Sequence, residues 1–162
     1  MTSQPPSDHE LVGRQQELAE LARALDEADA GRGGLVLLSG EAGIGKTRLA
    51  VEALNRSDLP VYIARTREGT SPPYGPIVSV LRAWIRKQPA VKDELIQSLP
   101  ALGLLLPELG TESTASSREI LADAIGQALH RLTDADGCTI LLDDLHWADN
   151  ATFELLPELA ER

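Results

Sequence analysis

Apolar residues recur along the chain in two patterns, one with the spacing of helices and one in short continuous runs. The first helical set is Leu18, Leu21, Ala22, Leu25 and Ala28, which predicts a helix over about residues 14–30 that ends at three glycines. The same spacing predicts helices over about residues 46–55, 77–85 and 116–132, and from about residue 151 onward. Helices therefore make up most of the predicted regular structure.

The continuous apolar runs are typical of strands that are buried on both faces of a sheet. They cover residues 35–39, 61–64 and 138–142. Because these three runs alternate with helices, the pattern predicts an α/β fold with a parallel sheet and flanking helices.

Prolines and glycines interrupt the region between the second and third runs. Three prolines and a glycine predict a loop over residues 70–76, and Pro100 and Pro107 break the Leu-rich stretch into short pieces. We expect a small helical insertion over about residues 70–115. Ser116 and Glu119 then form a capping-box pattern that opens the next helix.

Composition excludes several classes of protein. The chain has 162 residues, 43% of them hydrophobic, which is enough for one domain with a sizeable core. The 15 basic and 25 acidic residues give a net charge of −10, which argues against direct nucleic-acid binding by this segment. Cys138 is the single cysteine and is interpreted as a small apolar residue at the start of a buried strand. No run of about 18 apolar residues occurs, so we expect a cytoplasmic protein without a membrane span.

Residues 40–47, GEAGIGKT, match the phosphate-binding loop pattern, with a predicted strand before them and a predicted helix after them. The glycines allow successive backbone N–H groups to turn inward and cradle an anion, and the helix adds the positive end of its dipole. Chance would produce this motif roughly 2 times in 1,000 chains of this composition. The alternative is a Gly-rich turn without a ligand. The candidate nucleotide-binding residues are Gly40, Gly43, Ile44, Gly45, Lys46 and Thr47.

Each polar side chain at this site has a predicted role. Lys46 would reach the β- and γ-phosphates, and Thr47 would offer its hydroxyl to Mg²⁺. The third apolar run ends in Asp143, the candidate for holding Mg²⁺, and Asp144, the candidate for polarising the attacking water. Lys46 and Asp144 are therefore the candidate catalytic residues. The alternative for the acidic pair is a solvated strand end.

His146 and Trp147, which lie shortly after the acidic pair, have structural interpretations. His146 is interpreted as an ordinary polar residue, since three scattered histidines offer no zinc-binding spacing. Trp147 is predicted to pack beneath the site.

Four motifs together resemble one family. They are LVGR at residues 11–14, the loop at 40–47, SPPYGP at 71–76 and LLDDLHWAD at 141–149. The chain resembles the AAA/STAND-type signal-transduction ATPases, and more narrowly the N-terminal ATPase module of bacterial LuxR-family large ATP-binding regulators. The resemblance implies a P-loop NTPase fold of the ASCE/AAA type that binds ATP or ADP with Mg²⁺. It places Val12, Gly13 and Arg14 against the adenine base.

The chain departs from this family in two ways. Many relatives have Glu where Asp144 stands, and the shorter carboxylate favours slow hydrolysis and a switch role for ATP. Family members also continue into a strand that lies between the phosphate-loop strand and the acidic-pair strand. We therefore expect residues 11–162 to form the N-terminal portion of an ATPase domain, preceded by a disordered tail at 1–10, with an incomplete sheet and with missing C-terminal regulatory or output domains as partners.

Three functions remain open at this point. The first is a Mg·ATP-binding switch module of a signal-transduction or transcriptional regulator, with weak or absent ATPase activity and nucleotide-dependent self-association. The second is a non-catalytic interaction module with a degenerate nucleotide site, whose helical insertion presents exposed Leu and Trp side chains to a partner. The third is a small P-loop kinase, which would need an Arg-rich lid that the sequence does not show.

Overall fold

The computed structural model describes residues 13–69, 72–110, 117–134 and 137–160. Within these residues, six α-helices and two strands follow one another in the order α1 (Gln15–Asp29), α2 (Lys46–Leu54), β1 (Val61–Arg65), α3 (Gly75–Lys87), α4 (Val91–Ser98), α5 (Arg118–Asp134), β2 (Thr139–Asp143) and α6 (Asn150–Ala160). Short 3₁₀ helices span Pro100–Leu104, Pro107–Leu109 and Leu145–Trp147. The helices predicted from apolar spacing are confirmed, and the fold is α/β.

The two strands are parallel neighbours. Val61 lies opposite Thr139, and Arg65 lies opposite Asp143. Because parallel strands run in the same direction, the carboxyl ends of β1 and β2 meet at one edge of the sheet. Burial alternates along β1, where Tyr62 and Ala64 are buried and Ile63 is 52% exposed. The sheet therefore has one face against the core, and Arg65 lies on the opposite, more open face.

The main core lies between the sheet, α3 and α5, and it includes the described part of the helical insertion. The largest fully buried apolar side chains are Ile77, Val80, Leu81, Leu95, Leu102, Leu106 and Ile125. Trp84 is also buried, with 3% of its surface exposed. The expectation that the insertion presents exposed Leu and Trp side chains is therefore wrong for its described residues, with Leu104 as an exception at 44% exposure. Leu102 and Leu106 are buried because the prolines that open the 3₁₀ helices turn the chain back onto α4 and α5.

The strand predicted at residues 35–39 is absent, so the described sheet has two strands instead of three. Leu35, Val36 and Leu37 are 48%, 50% and 69% exposed. An apolar run becomes a strand only when a neighbouring chain takes up its backbone N–H and C=O groups. No strand among the described residues lies beside this run, and β2 pairs only with β1.

Helix α5 begins one residue later than the capping-box pattern predicts. Its first residue is Arg118, and the Ile120 N–H donates to the Ser117 Oγ at 3.4 Å. The hydroxyl of Ser117 and a backbone N–H bond lower the pKa of the Glu119 carboxyl. Ser116, like Val12, lies outside the described residues.

Candidate nucleotide-binding site

Residues 40–45 form a turn that depends on glycine. Gly40, Gly43 and Gly45 have φ values of 149°, 78° and 92°. A Cβ at Gly43 or Gly45 would meet no atom within 4 Å, so these positions favour glycine for their backbone conformation and not for space. Gly45 caps α2, which begins at Lys46. The first N–H groups of α2 have no intrahelical acceptor, and they lie where an anion would bind.

The Lys46 side chain closes over this turn. Its Nζ donates to the carbonyl oxygens of Gly40 at 3.0 Å and Glu41 at 2.9 Å. Both acceptors are neutral backbone groups in an exposed position. The ammonium is therefore held at the loop by bonds to neutral acceptors, and an anionic phosphate can replace them with stronger bonds in which both partners are charged.

The start of α2 and the end of β2 are joined by the predicted metal ligands. Thr47 Oγ1 donates to Asp143 Oδ1 at 2.8 Å. The Asp144 N–H donates to the same carboxylate oxygen at 3.1 Å. The structure thus brings Thr47, which directly follows Lys46, next to Asp143, 96 positions further along the chain, at one edge of the sheet. Hydroxyl and carboxylate oxygens are the hard ligands that Mg²⁺ prefers, so the donor set fits this ion.

Beyond Thr47 and Asp143, few protein ligands for a metal ion are available. The described residues contain no group of three or more His, Cys, Asp or Glu side chains placed to hold a metal ion. Mg²⁺ usually keeps several waters and binds through one or two carboxylates plus substrate phosphates. A sparse site of this kind suits a cation that arrives with a nucleotide.

Asp144 lies just beyond the strand and has a left-handed backbone, with φ 54° and ψ 38°. Its side chain is exposed, whereas that of Asp143 is only 11% exposed. The alternation of side chains along a strand does not separate the two carboxylates, because β2 ends at Asp143. A left-handed turn separates them instead.

Thr66 holds that turn in place, and the sequence did not single it out. It is 6% exposed, and its N–H donates to the carbonyl oxygen of Asp143 at 3.1 Å. Its hydroxyl is within hydrogen-bond distance of the carbonyl oxygens of Asp143, at 3.0 Å, and Asp144. Thr66 follows β1 directly, so parallel pairing with β2 was the signal that could have located it.

The segment before α1 lies against the phosphate loop. Arg14 Nη2 donates to the carbonyl oxygen of Ile44 at 3.3 Å, and Arg14 Nη1 pairs with Glu17 at 2.7 Å. A backbone hydrogen bond and the bond from Arg14 lower the pKa of Glu17. A small pocket is lined here by Arg14, Glu17, Leu38, Ser39, Ile44, Gly45, Lys46 and Leu49. Gly13, with φ 80°, precedes this contact.

Asp149 connects the LLDDLHWAD motif, to which it belongs, with Tyr74 of the SPPYGP motif. The sequence alone assigned it no role. Its carboxylate caps α6 by accepting the Thr152 N–H at 3.0 Å and the Thr152 hydroxyl at 2.6 Å, and it accepts a bond from the Tyr74 N–H. Burial raises the pKa of Asp149, but these hydrogen bonds outweigh burial and leave the pKa below its usual value. An Asp three residues before Thr at a helix start is an N-cap signature, which was the available signal.

Of the remaining residues near β2, Trp147 differs in burial from its prediction, whereas Cys138 agrees with its prediction. Trp147 is 41% exposed and its ring centroid lies 4.9 Å from that of His146, so the prediction that it packs beneath the site is wrong. It follows the left-handed turn at Asp144 within an exposed 3₁₀ turn, which directs it away from the core. Cys138 is partly buried against the core, and burial raises its pKa to about 11.

The α/β geometry described above is consistent with a P-loop NTPase fold, and residues 10–162 match the family described as the AAA ATPase domain. The chain belongs to this family. It is similar to an uncharacterized protein of Rhizobium meliloti, with 27% identity over 180 aligned positions that cover 93% of this chain and 17% of that protein. The chain thus spans about a sixth of the length of this relative. No solved structure matches it significantly. Among the described residues, none of the helices is long and apolar enough to cross a bilayer.

Proposed function

We propose that this chain binds Mg·ATP at the loop of residues 40–47 and serves as a nucleotide-dependent switch with slow hydrolysis. The observation that carries the proposal is the hydrogen bond between Thr47 and Asp143. It joins a loop suited to phosphates with a carboxylate suited to a cation, and either feature alone has an ordinary structural explanation. Their contact across the fold favours a single site for a phosphate–metal complex.

Each residue has a distinct role in this proposal. The N–H groups of residues 43–47 and the Lys46 ammonium bind the phosphates. Thr47 and Asp143 hold Mg²⁺, directly or through water, and the bound ion supplies positive charge beside the β- and γ-phosphates. Arg14 and Gly13, with Val12 before them, flank the base. This assignment rests on the contact between Arg14 and Ile44 and on the family resemblance.

Asp144 is the candidate for orienting the attacking water. Among the described residues, no hydrogen-bond donor reaches its exposed carboxylate, whereas that of Asp143 accepts three hydrogen bonds. General-base catalysis needs a carboxylate that is free to accept a proton in the right place. Because Asp144 is one methylene shorter than the Glu of many relatives, we expect it to reach the water poorly. ATP would then act mainly as a ligand that changes conformation.

The larger context is also part of the proposal. The resemblance to STAND-type ATPases supports a place in a cytoplasmic signalling or transcriptional regulator, with self-association controlled by nucleotide. In such a protein, regulatory and output domains would respond to whether this module has nucleotide bound. The alternative of a non-catalytic interaction module is not favoured, because the Trp and Leu side chains that it required are mostly buried.

Thermal unfolding in the presence of nucleotide tests the proposal. Saturation at about 100 times the dissociation constant adds ~2.7 kcal/mol to the free energy of unfolding, which raises the Tm by roughly 5–10 °C for a chain of this size. We expect this rise for the parent chain with Mg·ATP, and its loss in Lys46→Ala. Lys92→Ala, the same change in α4, is the matched control and should behave as the parent. Equal stabilisation of Lys46→Ala and the parent would contradict the assignment.

A further inference from the structure

Arg65 lies at the carboxyl end of β1, opposite Asp143 in the register of the parallel sheet. Its Nε donates to Asp143 Oδ2 at 2.9 Å, on the open face of the sheet. The guanidinium is thus paired with the carboxylate that is proposed to hold Mg²⁺. Nothing in the phosphate-loop or acidic-pair motifs assigns this residue.

Both oxygens of the Asp143 carboxylate are engaged by protein donors. Oδ1 accepts bonds from the Thr47 hydroxyl and the Asp144 N–H, and Oδ2 accepts the bond from Arg65. Of these three donors, only Arg65 carries a positive charge. Because the Asp143 side chain is 11% exposed, a charged partner balances much of the penalty for removing its negative charge from water.

The side chains of Asp143 and Arg65 differ in how freely they can move. Asp143 is held by the strand and by two further donors, whereas the Arg65 side chain is 58% exposed. An arriving cation would take up the charge of Asp143 and oppose that of Arg65, so the two positive groups compete for one carboxylate. Arg65 is the member of the pair that can move, since its exposed guanidinium regains water when it leaves.

We propose that Arg65 is an internal counter-ion that occupies Asp143 when no metal is bound and is displaced from Oδ2 when Mg²⁺ arrives with a nucleotide. Arg65 is then a positioning residue that sets how much Mg²⁺ the site requires. This inference rests on the proposed nucleotide-binding function. It gives the switch a dependence on free Mg²⁺ that the phosphate loop does not supply.

Titration of Mg²⁺ at a fixed, subsaturating concentration of fluorescent ATP analogue measures this effect on the full chain. In Arg65→Gln the competitor is removed, so we expect the half-saturating Mg²⁺ concentration to fall roughly fivefold, the size of a partly exposed ion pair. The affinity for the analogue in excess EDTA should not change. Arg65→Lys keeps the charge but loses the planar guanidinium, so we expect a smaller fall.

Arg67→Gln is the matched control, because Arg67 is an exposed arginine two residues further along the chain. It should leave both measurements unchanged. An unchanged or raised half-saturating Mg²⁺ concentration in Arg65→Gln would overturn the proposal, and so would a weaker affinity in EDTA, which would place Arg65 on a phosphate. If Arg65→Gln fails to fold by circular dichroism, the same criteria apply to Arg65→Lys.

The outcome for the parent chain separates the two proposals. If the parent does not bind the analogue at any Mg²⁺ concentration, the proposed function itself fails, and the role of Arg65 fails with it. If the parent binds and Lys46→Ala does not, but neither Arg65 variant shifts the Mg²⁺ requirement, only the counter-ion role is wrong.

Discussion

The hydroxyl of Thr47 donates to the carboxylate of Asp143 at 2.8 Å, across 96 positions of sequence. Thr47 lies in the first turn of a helix and Asp143 is the last residue of a parallel strand. A helix N-terminus carries partial positive charge, and the carboxyl edge of a parallel sheet is where ligands bind in α/β folds. This one bond therefore fixes the position of the proposed site within the fold.

Replacement of Thr47 by Val, which has nearly the same shape, tests how much this bond stabilises the unliganded protein. Asp143 would lose one donor while its charge stays partly buried, and a hydrogen bond to a charged group contributes about 1.5–3 kcal/mol. We expect Thr47→Val to lower the free energy of unfolding by about 1–2 kcal/mol, since two donors remain. Urea denaturation without nucleotide measures this. Thr47→Ser keeps the hydroxyl and should lose less than half as much, whereas equal losses would assign the effect to packing.

The role of Asp144 in hydrolysis is testable without disturbing the backbone. Asparagine tolerates a left-handed conformation well, so Asp144→Asn preserves the turn and removes only the base. We expect the rate of ATP hydrolysis to fall about 100-fold or to background, with unchanged affinity for Mg·ATP. Asp144→Glu should raise the rate above that of the parent. A normal rate in Asp144→Asn would mean that another group orients the water.

The sequence predicted the helices and the glycine-rich turn before α2 well because both depend on local information. The spacing of Leu18, Leu21 and Leu25 marks a helix face, and the conformations of Gly43 and Gly45 are specified by the glycines themselves. Burial was harder to predict, because it depends on partners elsewhere. Residues 35–39 have the composition of a buried strand, but no described strand lies beside them.

Dependence on distant partners also explains why the sequence analysis missed Arg65 and Thr66 at the site. Arg65 and Thr66 act through parallel pairing of β1 with β2, two elements separated by more than 70 residues. Neither residue has a local signature, since a single Arg or Thr after an apolar run is common. Their importance follows only once the two strand ends are known to meet.

Thr66 should be a sensitive position for stability, because it is buried beneath the turn that presents Asp144. Thr66→Val keeps the volume but removes the hydroxyl from the carbonyl oxygens of Asp143 and Asp144. We expect a loss of about 1–3 kcal/mol in the free energy of unfolding, since polar groups near the core lose their donor. Thr66→Ser, which retains the hydroxyl, should lose no more than about 1.5 kcal/mol, the size of a deleted buried methyl group. If Thr66→Val is as stable as the parent, the hydroxyl does not hold the turn.

The cap at Asp149 predicts a specific dependence of stability on pH. Its folded pKa lies below the unfolded value of about 3.9, so its stabilisation is present above pH ~4 and is lost as the pH falls through the folded pKa. At pH 7, Asp149→Ala should lose about 0.5–2 kcal/mol through the cap of α6. Urea denaturation at pH 7, 5 and 3 should show this difference shrinking only at the lowest pH. Asp149→Asn is the control that keeps a capping side chain, and a difference that is constant with pH would refute the contribution of the charge.

The thiol of Cys138 should be nearly unreactive in the folded protein. Burial raises its pKa to about 11, and only the thiolate reacts with alkylating reagents. At pH 8 the thiolate fraction is then roughly 200-fold smaller than for an unfolded thiol with a pKa of about 8.5. Because the folded state favours the neutral thiol, its contribution to stability is present below pH ~8.5 and is lost as the pH rises towards 11. Alkylation by iodoacetamide at pH 8, followed by mass spectrometry, should be slower by about that factor in the native chain than in guanidinium chloride. Comparable rates would show that Cys138 is accessible as a thiolate and that the start of β2 is not packed against the core.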